Sequence, residues 1–137
     1  MELMQIDPVS PQGDRCHVGD AVATSSGKLP SRVCIHAVGP QYPTAETLSY
    51  QEVLSKKHKQ LRSAYCRSLV LASRHGARTV ACSLLSASIY RGGVPLVDVL
   101  REGAEGVLEG VHEARDLQEV RDVTASSFTA DTLSSLV

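Results

Sequence analysis

The residues whose types and spacing are best suited to chemistry lie in the run VACSLLSASIYRGGVP, from Val80 to Pro95. An apolar strand leads into small residues and glycines, and a proline then opens an amphipathic stretch, which predicts a strand, a loop and a helix N-terminus. Backbone N–H groups and the positive end of a helix dipole converge at such a place, so it suits a phosphate or another anion. Small side chains let a ligand approach the backbone, and Gly92 and Gly93 tolerate unusual dihedral angles. This pattern does not identify the anion.

A second group of charged residues is the basic run Lys56-Lys57-His58-Lys59, which Arg62 follows. Aromatic residues are sparse on the same predicted helix, so we interpret the run as a solvated helix face. The alternative is a contact with a nucleic acid or another anionic polymer. Glutamates at 102, 105, 109 and 113 are spaced for solvent and for pairing with Arg101 or Arg115, not for acid–base catalysis.

Cysteine and histidine residues form no metal-binding or catalytic pattern in the sequence. The four cysteines are far apart without a CxxC motif, which indicates reduced structural thiols. Cys16 and His17 are adjacent and could be read as a nucleophile with its base, but sequence neighbours rarely point at each other in a strand. The five histidines are dispersed, so we expect no metal and no cofactor.

Composition limits the class of protein. A chain of 137 residues forms one domain at most, and 42% hydrophobic with 21% charged residues is ordinary for a globular protein. The formal net charge of −1 provides no global field that would favour nucleic acid or an anionic membrane. No apolar run approaches the roughly 20 residues of a transmembrane helix, and no signal peptide is recognisable. We therefore expect a cytoplasmic or nuclear setting and no membrane partner.

Strands and helices alternate along the chain after a loosely ordered leader at residues 1–15. Apolar runs predict strands at 20–24, 32–38, 79–85 and 120–124, of which the second and third are expected to be buried. Periodic apolar residues predict helices at 47–76 and 95–114, and a short one at 129–136. In the first helix the recurring residues are Leu54, Leu61, Tyr65, Leu69 and Ala72. Gly76 is placed to end the first helix as its C′ glycine, and Pro95 suits the first turn of the second.

This alternation implies right-handed crossovers and a parallel sheet that is covered on both faces. Ligands of such sheets bind outside the carboxyl ends of the strands, where the loop from Ser86 to Gly93 is expected to lie. The second long helix is expected to bury an apolar stripe made of Leu96, Leu100, Ala104, Val107, Leu108 and Val111.

Several motifs, taken in order, resemble the macrodomain family. They are GDAVAT at 19–24, Leu29-Pro30, and VCIHAVGP at 33–40, followed by a long helix and then by LLSASIY at 84–90. In the family, a "G-x-A…T…LP…IHxVGP" run precedes a long helix, a strand with an "LLSTGIYG"-like phosphate loop, and a further helix. The resemblance covers about residues 16–128.

The resemblance implies an α/β fold at residues 16–137: a three-layer α/β/α macrodomain-like fold with a mostly parallel central sheet, N-terminally truncated. The family's opening strands and glycine-rich first phosphate loop have no counterpart in residues 1–15. The second phosphate loop departs from the family as well, because Ser88 stands where glycine is usual and Arg91 precedes Gly92-Gly93. Arg91 could act as a phosphate partner, and the favoured interpretation is that it points to solvent.

Carried over by position, the resemblance places seven loop residues, and Phe128 beyond the loop, at a ligand. Ser86, Ala87, Ser88, Ile89 and Tyr90 would lie along the diphosphate and the distal ribose, with Arg91 and Gly92 beside them. Tyr90 would flank the ribose, or else pack on the second helix. Phe128 would stack on adenine, although anchoring of the terminal helix is the favoured alternative. His36 is interpreted as a core histidine with its hydrogen bonds satisfied.

Three functions remain open from the sequence. The first is a module that binds ADP-ribose or an ADP-ribosylated protein through residues 86–93. The second is an interaction protein without ligand binding, in which an oligomer or a partner chain covers an exposed sheet edge. The third, a weak hydrolase that removes ADP-ribose, ranks last because no catalytic residue can be assigned, and a nucleic-acid partner is not expected.

Overall fold

The computed structural model describes residues 2 and 5–123, in which strands and helices alternate as predicted. The elements are β1 (Ala21–Thr24), β2 (Cys34–Ala37), α1 (Tyr50–Arg74), β3 (Thr79–Ser83), a 3₁₀ turn (Ile89–Arg91), α2 (Leu96–Glu113) and β4 (Glu119–Val123). The terminal helix expected at 129–136 and Phe128 lie outside the described residues. The α/β order expected from the sequence is therefore confirmed for the part of the chain that the structure describes.

The strands pair in two separate two-stranded sheets. β1 and β2 are antiparallel, with Ala21 opposite Ala37, because only a turn connects them. β3 and β4 are parallel, with Thr79 opposite Glu119, because α2 provides the crossover between them. The parallel pairing expected across a crossover is thus present in β3–β4, whereas β2 and β3 are not hydrogen-bonded to each other.

Neither β2 nor β3 is buried as the apolar runs predicted. Every residue of β2 is half-buried, and β3 alternates between exposed residues and half-buried ones, of which Val80 and Cys82 face inward. Each of these strands has a single hydrogen-bonded neighbour. Because side chains alternate across a strand, one uncovered face is enough to expose every second residue. The expectation of two fully buried strands is therefore wrong for the described residues.

α1 forms the centre of the described core. Leu61, Tyr65 and Leu69 lie on its buried face at helical spacing, as the pattern predicted. The helix ends where expected: Gly76 has a φ of +77°, and the N–H of Ala77 donates to the Ala72 carbonyl at 3.0 Å. Such a left-handed residue after the last helical turn is the usual role of a C′ glycine.

α2 packs against α1 through glycines rather than through the predicted apolar stripe. Leu108 is 64% exposed and Val111 is 40% exposed, so the stripe is wrong in its C-terminal half. The buried face runs instead through Leu96, Val99, Leu100, Gly103, Gly106 and Gly110. A Cβ atom at Gly106 would lie 2.6 Å from the Arg62 carbonyl oxygen, closer than real Cβ atoms approach oxygen. The absence of a side chain therefore allows the two helices to come close.

A cluster of buried residues connects these helices to the chain that follows β2. Tyr42, from the segment after β2, packs with Leu61 and Tyr65 of α1 and with Val94 and Val99 at the start of α2. The segment between β3 and α2 consequently lies against the segment after β2. Neither helix of the described residues is long and apolar enough to cross a membrane.

Candidate functional site

The loop at 86–93 lies between β3 and α2, as the sequence pattern predicted, and it begins with a strained residue that the pattern did not indicate. Ser86 has a φ of +58°, a conformation that residues other than glycine rarely adopt. Its side chain is buried, and the hydroxyl donates a hydrogen bond of 2.6 Å to the Pro40 carbonyl. Strained backbone of this kind persists only where surrounding contacts fix it, and it is common at ligand sites.

Four successive N–H groups of the loop remain available to a ligand. Within the part of the chain that the structure describes, the N–H groups of residues 87–90 have no hydrogen-bond acceptor. In contrast, the N–H of Arg91 donates to Ser88 at 3.0 Å, and that of Val94 donates to Arg91 at 3.2 Å. The 18-residue helix α2 begins immediately afterwards, so its positive end adds to the same region. Successive free donors before a helix N-terminus form an arrangement that binds anions.

The segment after β2 holds this loop in place. The N–H of Tyr42 donates to the Tyr90 carbonyl at 2.7 Å, and the N–H of Gly93 donates to the Pro43 carbonyl at 3.0 Å. Gly92 has a φ of +59°, and a Cβ there would lie 2.6 Å from the Tyr42 carbonyl oxygen. The loop and the supporting segment therefore pack backbone against backbone, and only glycine fits at residue 92.

Tyr42 is the supporting residue that sequence reasoning missed. It is 2% exposed, and its hydroxyl lies 2.9 Å from Nδ1 of His58 on α1. Burial, together with the negative charge of Glu102, raises the pKa of Tyr42 well above its usual range. The sequence signal was an aromatic residue between Pro40 and Pro43, directly after a strand. His58 is therefore a half-buried partner of Tyr42 and not part of the solvated face that the basic run predicted.

The exposed side chains of the loop face solvent. Ser88 and Ile89 are exposed, the latter at 86%, and Tyr90 is 51% exposed. The predicted site residues from Ser86 to Gly92 are thus brought together on one loop, with Tyr90 available at its surface. Phe128, the remaining member of the predicted set, lies outside the described residues.

Arg91 does not point to solvent, and that expectation is wrong. The residue is half-buried, and its Nη1 donates to the Val94 carbonyl at 3.1 Å. Its Nε is buried and has no hydrogen-bond partner among the described residues. The side chain folds back along the loop because the Val94 carbonyl, at the start of α2, lies within its reach.

A cavity lies away from the loop, along α1, where residues of β1 and α2 complete its lining. It has a volume of about 740 Å³, and its lining includes Lys59, Arg74, Glu109 and Glu113 but no residue of the loop. A neighbouring cavity of about 410 Å³ is lined by Lys56 and Lys59, among other residues. We call these two cavities together the α1 groove.

Acidic residues neutralise much of the charge in the α1 groove. Glu102 of α2 forms an ion pair with Arg62 of α1, which raises the pKa of Arg62. Asp20 pairs with Arg67 at 3.2 Å. Arg101 pairs with Asp98 at 3.4 Å, and not with one of the glutamates at 102, 105, 109 and 113 as the sequence suggested. Lys56 and Lys59 of the basic run, together with Arg62, therefore line a groove of mixed charge.

Histidine and cysteine residues in the described part show no catalytic arrangement. Nε2 of His36 lies 2.9 Å from Oγ1 of Thr24, so its ring has a hydrogen-bond partner within the β1–β2 sheet. None of the four cysteines, all of which lie in the described ranges, forms a disulfide, and burial raises the pKa of the Cys16 and Cys66 thiols. No group of three or more histidine, cysteine, aspartate or glutamate residues in the described ranges could hold a metal ion.

Comparison with protein families gives a match over most of the chain. The family model of the Macro domain matches residues 4–101, from the leader to the first half of α2. A Macro domain-containing protein of Streptomyces nogalater is 37% identical over 120 residues, which cover 88% of this chain and 59% of that protein. An O-acetyl-ADP-ribose deacetylase 2 of Pantoea vagans is 30% identical over 105 residues, covering 77% of this chain and 56% of that protein. The chain spans about 40 to 60% of the length of the curated relatives it matches.

Solved structures share the fold. A macrodomain of Oceanobacillus iheyensis with ADP superimposes with a TM-score of 0.73 at 20% identity, covering 90% of this chain and 60% of that one. A Trypanosoma brucei macrodomain in complex with ADP-ribose gives a TM-score of 0.70 at 22% identity, covering 91% of this chain and 48% of that one. The fold class expected from the sequence is confirmed.

Proposed function

Because this chain belongs to the Macro domain family, we propose that it binds ADP-ribose, free or attached to a protein, through the loop at 86–93. Two kinds of relative support the ligand class. A T. brucei macrodomain of the same fold is in complex with ADP-ribose, and the P. vagans relative is named for O-acetyl-ADP-ribose. The chain spans only part of these proteins, so the ligand is proposed for the loop that this chain itself contains.

One observation carries the proposal. The N–H groups of residues 87–90 form an unbroken run without acceptors in the described chain, between the end of β3 and the start of α2. A diphosphate offers several oxygen acceptors at the spacing of successive backbone donors, and its negative charge suits the positive end of a helix. Tyr90, half exposed beside these donors, would flank the distal ribose.

Isothermal titration calorimetry of the full chain with ADP-ribose tests the proposal, with AMP and ADP as comparison ligands. The decisive variants are Ser88→Glu, which adds a negative charge beside the free donors, and Ser88→Gln, which matches it in size without the charge. We expect Ser88→Glu to weaken ADP-ribose binding by about tenfold or more and Ser88→Gln to weaken it by about threefold at most, since a like charge at the site repels the ligand. Equal affinities for the two variants would contradict the assignment of the site to this loop.

An activity that removes ADP-ribose from proteins ranks below binding. The side chains at 86–93 include no carboxylate and no imidazole, which are the usual general bases. The described donors are main-chain N–H groups, which bind an anion without accepting a proton. Release of ADP-ribose from a modified protein above the uncatalysed rate, lost in Ser88→Glu, would establish the hydrolase instead.

The exposed strands favour a second candidate function, that of a protein-interaction module. β3 and β4 form a two-stranded parallel sheet, and Thr79, Ala81 and Ser83 of β3 are exposed. Parallel sheets are normally covered on both faces, and β3 carries no charged residue that would protect its open edge. A second copy or a partner chain that adds a strand there would complete the sheet.

Sedimentation of the purified chain over a range of concentrations tests this second candidate. A concentration-dependent dimer that Ala81→Lys converts to monomer would support strand addition at β3, because a charge on an open strand edge opposes pairing. A monomer at all concentrations would leave ADP-ribose binding as the function to pursue. The two candidates are compatible, since the edge of β3 and the loop at 86–93 are different surfaces.

A further inference from the structure

We propose that Arg91 is the positioning residue of the loop at 86–93 and that its charge makes the loop prefer a diphosphate to a monophosphate. The part of this inference that concerns ligands rests on the proposed function; the part that concerns loop shape does not. Arg91 follows the four free N–H donors directly and lies in the 3₁₀ turn that precedes α2. No other residue at 86–93 carries a charge.

Arg91 joins the two ends of the turn by three hydrogen bonds. Its N–H donates to the Ser88 carbonyl at 3.0 Å, and its carbonyl accepts from the N–H of Val94 at 3.2 Å. Its Nη1 donates to the Val94 carbonyl at 3.1 Å. Val94 is buried in the core, so the guanidinium fixes the exposed turn to an immobile residue. Holding the turn in one shape also holds the preceding N–H groups in one direction, which reduces the entropy lost on binding.

The guanidinium has no negative partner in the described chain. The ion pairs there involve Arg62, Arg67, Arg101 and Arg121, and none involves Arg91. Its Nε is buried without a hydrogen-bond acceptor. A half-buried cation that lacks a counter-ion is costly, and an anion bound at the loop would supply the missing negative charge.

The surrounding charges favour such an anion. The free N–H groups at 87–90 and the N-terminal end of α2 are both positive, and the Arg91 charge adds to them. The opposing charge in the first turn of α2 is Asp98, which already pairs with Arg101 at 3.4 Å. Electrostatic attraction grows with ligand charge, so ADP should gain more from Arg91 than AMP does.

Three variants separate the charge of Arg91 from its role in loop shape. Arg91→Gln removes the charge, Arg91→Lys keeps the charge without the planar guanidinium, and Arg115→Gln is the control, an exposed arginine that follows the C-terminal end of α2, away from the loop. The affinities for ADP and AMP are measured by calorimetry at low and high salt. We expect Arg91→Gln to lower the ADP affinity about tenfold and to reduce the ADP-to-AMP ratio, with a weaker salt dependence. Arg91→Lys should keep the ratio, and Arg115→Gln should change neither the ADP affinity nor the ratio.

Hydrogen exchange of the unliganded protein tests the shape of the loop independently. Both Arg91→Gln and Arg91→Lys should speed exchange of the Val94 amide, since the hydrogen bond from the guanidinium to the Val94 carbonyl is lost, while Arg115→Gln should not. If Arg91→Gln binds ADP as tightly as the wild type does, with the same ratio of ADP affinity to AMP affinity, the role of the charge is overturned and the proposed function still stands. Absence of nucleotide binding by the wild type would overturn both, and unchanged exchange would overturn the positioning role.

Discussion

The loop at 86–93 and the α1 groove could each attract an anion, but by different means. The groove includes a cavity of about 740 Å³ with a lining rich in lysine and arginine. Two of these arginines are neutralised, since Arg62 pairs with Glu102 and Arg67 pairs with Asp20. The loop has a single cation, Arg91, and its N–H groups at 87–90 have no acceptor among the residues that the structure describes.

On the proposed assignment of the site, unpaired backbone donors matter more to anion binding than cavity volume or the number of basic side chains. A paired arginine must give up its carboxylate before it can hold a phosphate, and a solvated lysine loses side-chain entropy on ordering. A loop whose shape the core already fixes neither breaks an ion pair nor loses much conformational entropy when it binds an anion. The following predictions test that contrast, beginning with the largest expected effect.

Gly92→Val should destroy the loop. The valine would need a φ of +59° and would place Cβ 2.6 Å from the Tyr42 carbonyl oxygen, so we expect a loss of about 3 kcal/mol in the free energy of unfolding, together with loss of ADP-ribose binding. Gly27→Val is the matched control, since Gly27 has a φ of +57° and nothing within 4 Å of its Cβ. Urea unfolding of both variants checks this; similar losses in the two would show that the backbone angle alone, not the close packing, matters at Gly92.

Tyr42→Phe should weaken the support of the loop and change its pH dependence. Loss of the contact with His58 is expected to cost about 1 kcal/mol at neutral pH. The pKa of Tyr42 is raised by burial, so the unfolded chain releases its proton first as pH rises through about 10. The stability that the hydroxyl contributes is therefore present below that pH and is lost above it.

Chemical denaturation at pH 7 and at alkaline pH measures this effect. The stability difference between the wild type and Tyr42→Phe should narrow, or change sign, at the higher pH. A difference that stays constant with pH would contradict the raised pKa of Tyr42.

Within the α1 groove, Glu102→Gln should cost more than Asp20→Asn. The Glu102 side chain is 17% exposed and its partner Arg62 is 39% exposed, whereas Asp20 and Arg67 are 36% and 62% exposed. We expect a loss of about 0.8 kcal/mol for the first variant and about 0.3 kcal/mol for the second, because solvent screens exposed pairs. Thermal unfolding at low and high salt gives the comparison, and the reverse order would refute it.

Neutralising the lysines of the groove should have the smallest effect of all. Lys56→Gln combined with Lys59→Gln is expected to leave ADP-ribose affinity within about twofold, since long-range attraction from exposed charges is screened. The ADP-ribose affinity of Ser88→Glu, measured in the same calorimetric titration, provides the comparison. A loss of affinity in the lysine variant as large as that in Ser88→Glu would move the proposed site to the groove.

Local rules were reliable wherever a feature depends on neighbouring residues. The helix end at Gly76, the core positions Leu61, Tyr65 and Leu69, and the strand–loop–helix order around residues 80–95 were all predicted correctly. The apolar stripe of α2 was predicted incorrectly in its C-terminal half. The prediction rested on the spacing of apolar side chains, whereas the packing of α2 against α1 depends on glycines that let the two backbones approach. Burial of β2 and β3 was overestimated for a related reason, since an apolar strand does not reveal how many neighbours it has.

By itself, then, the sequence determined the order of the elements and the place of the loop, because small residues, glycines and a proline encode local backbone shape. The tertiary structure alone decided which donors of the loop stay free. The left-handed Ser86 is held by the Pro40 carbonyl, and Gly93 is held by the Pro43 carbonyl, each from a segment more than 40 residues earlier. The direction of Arg91 was decided in the same way, because the core fixes the Val94 carbonyl that its guanidinium reaches. Contacts between segments so far apart in sequence depend on the tertiary packing of the chain, which no local sequence pattern specifies.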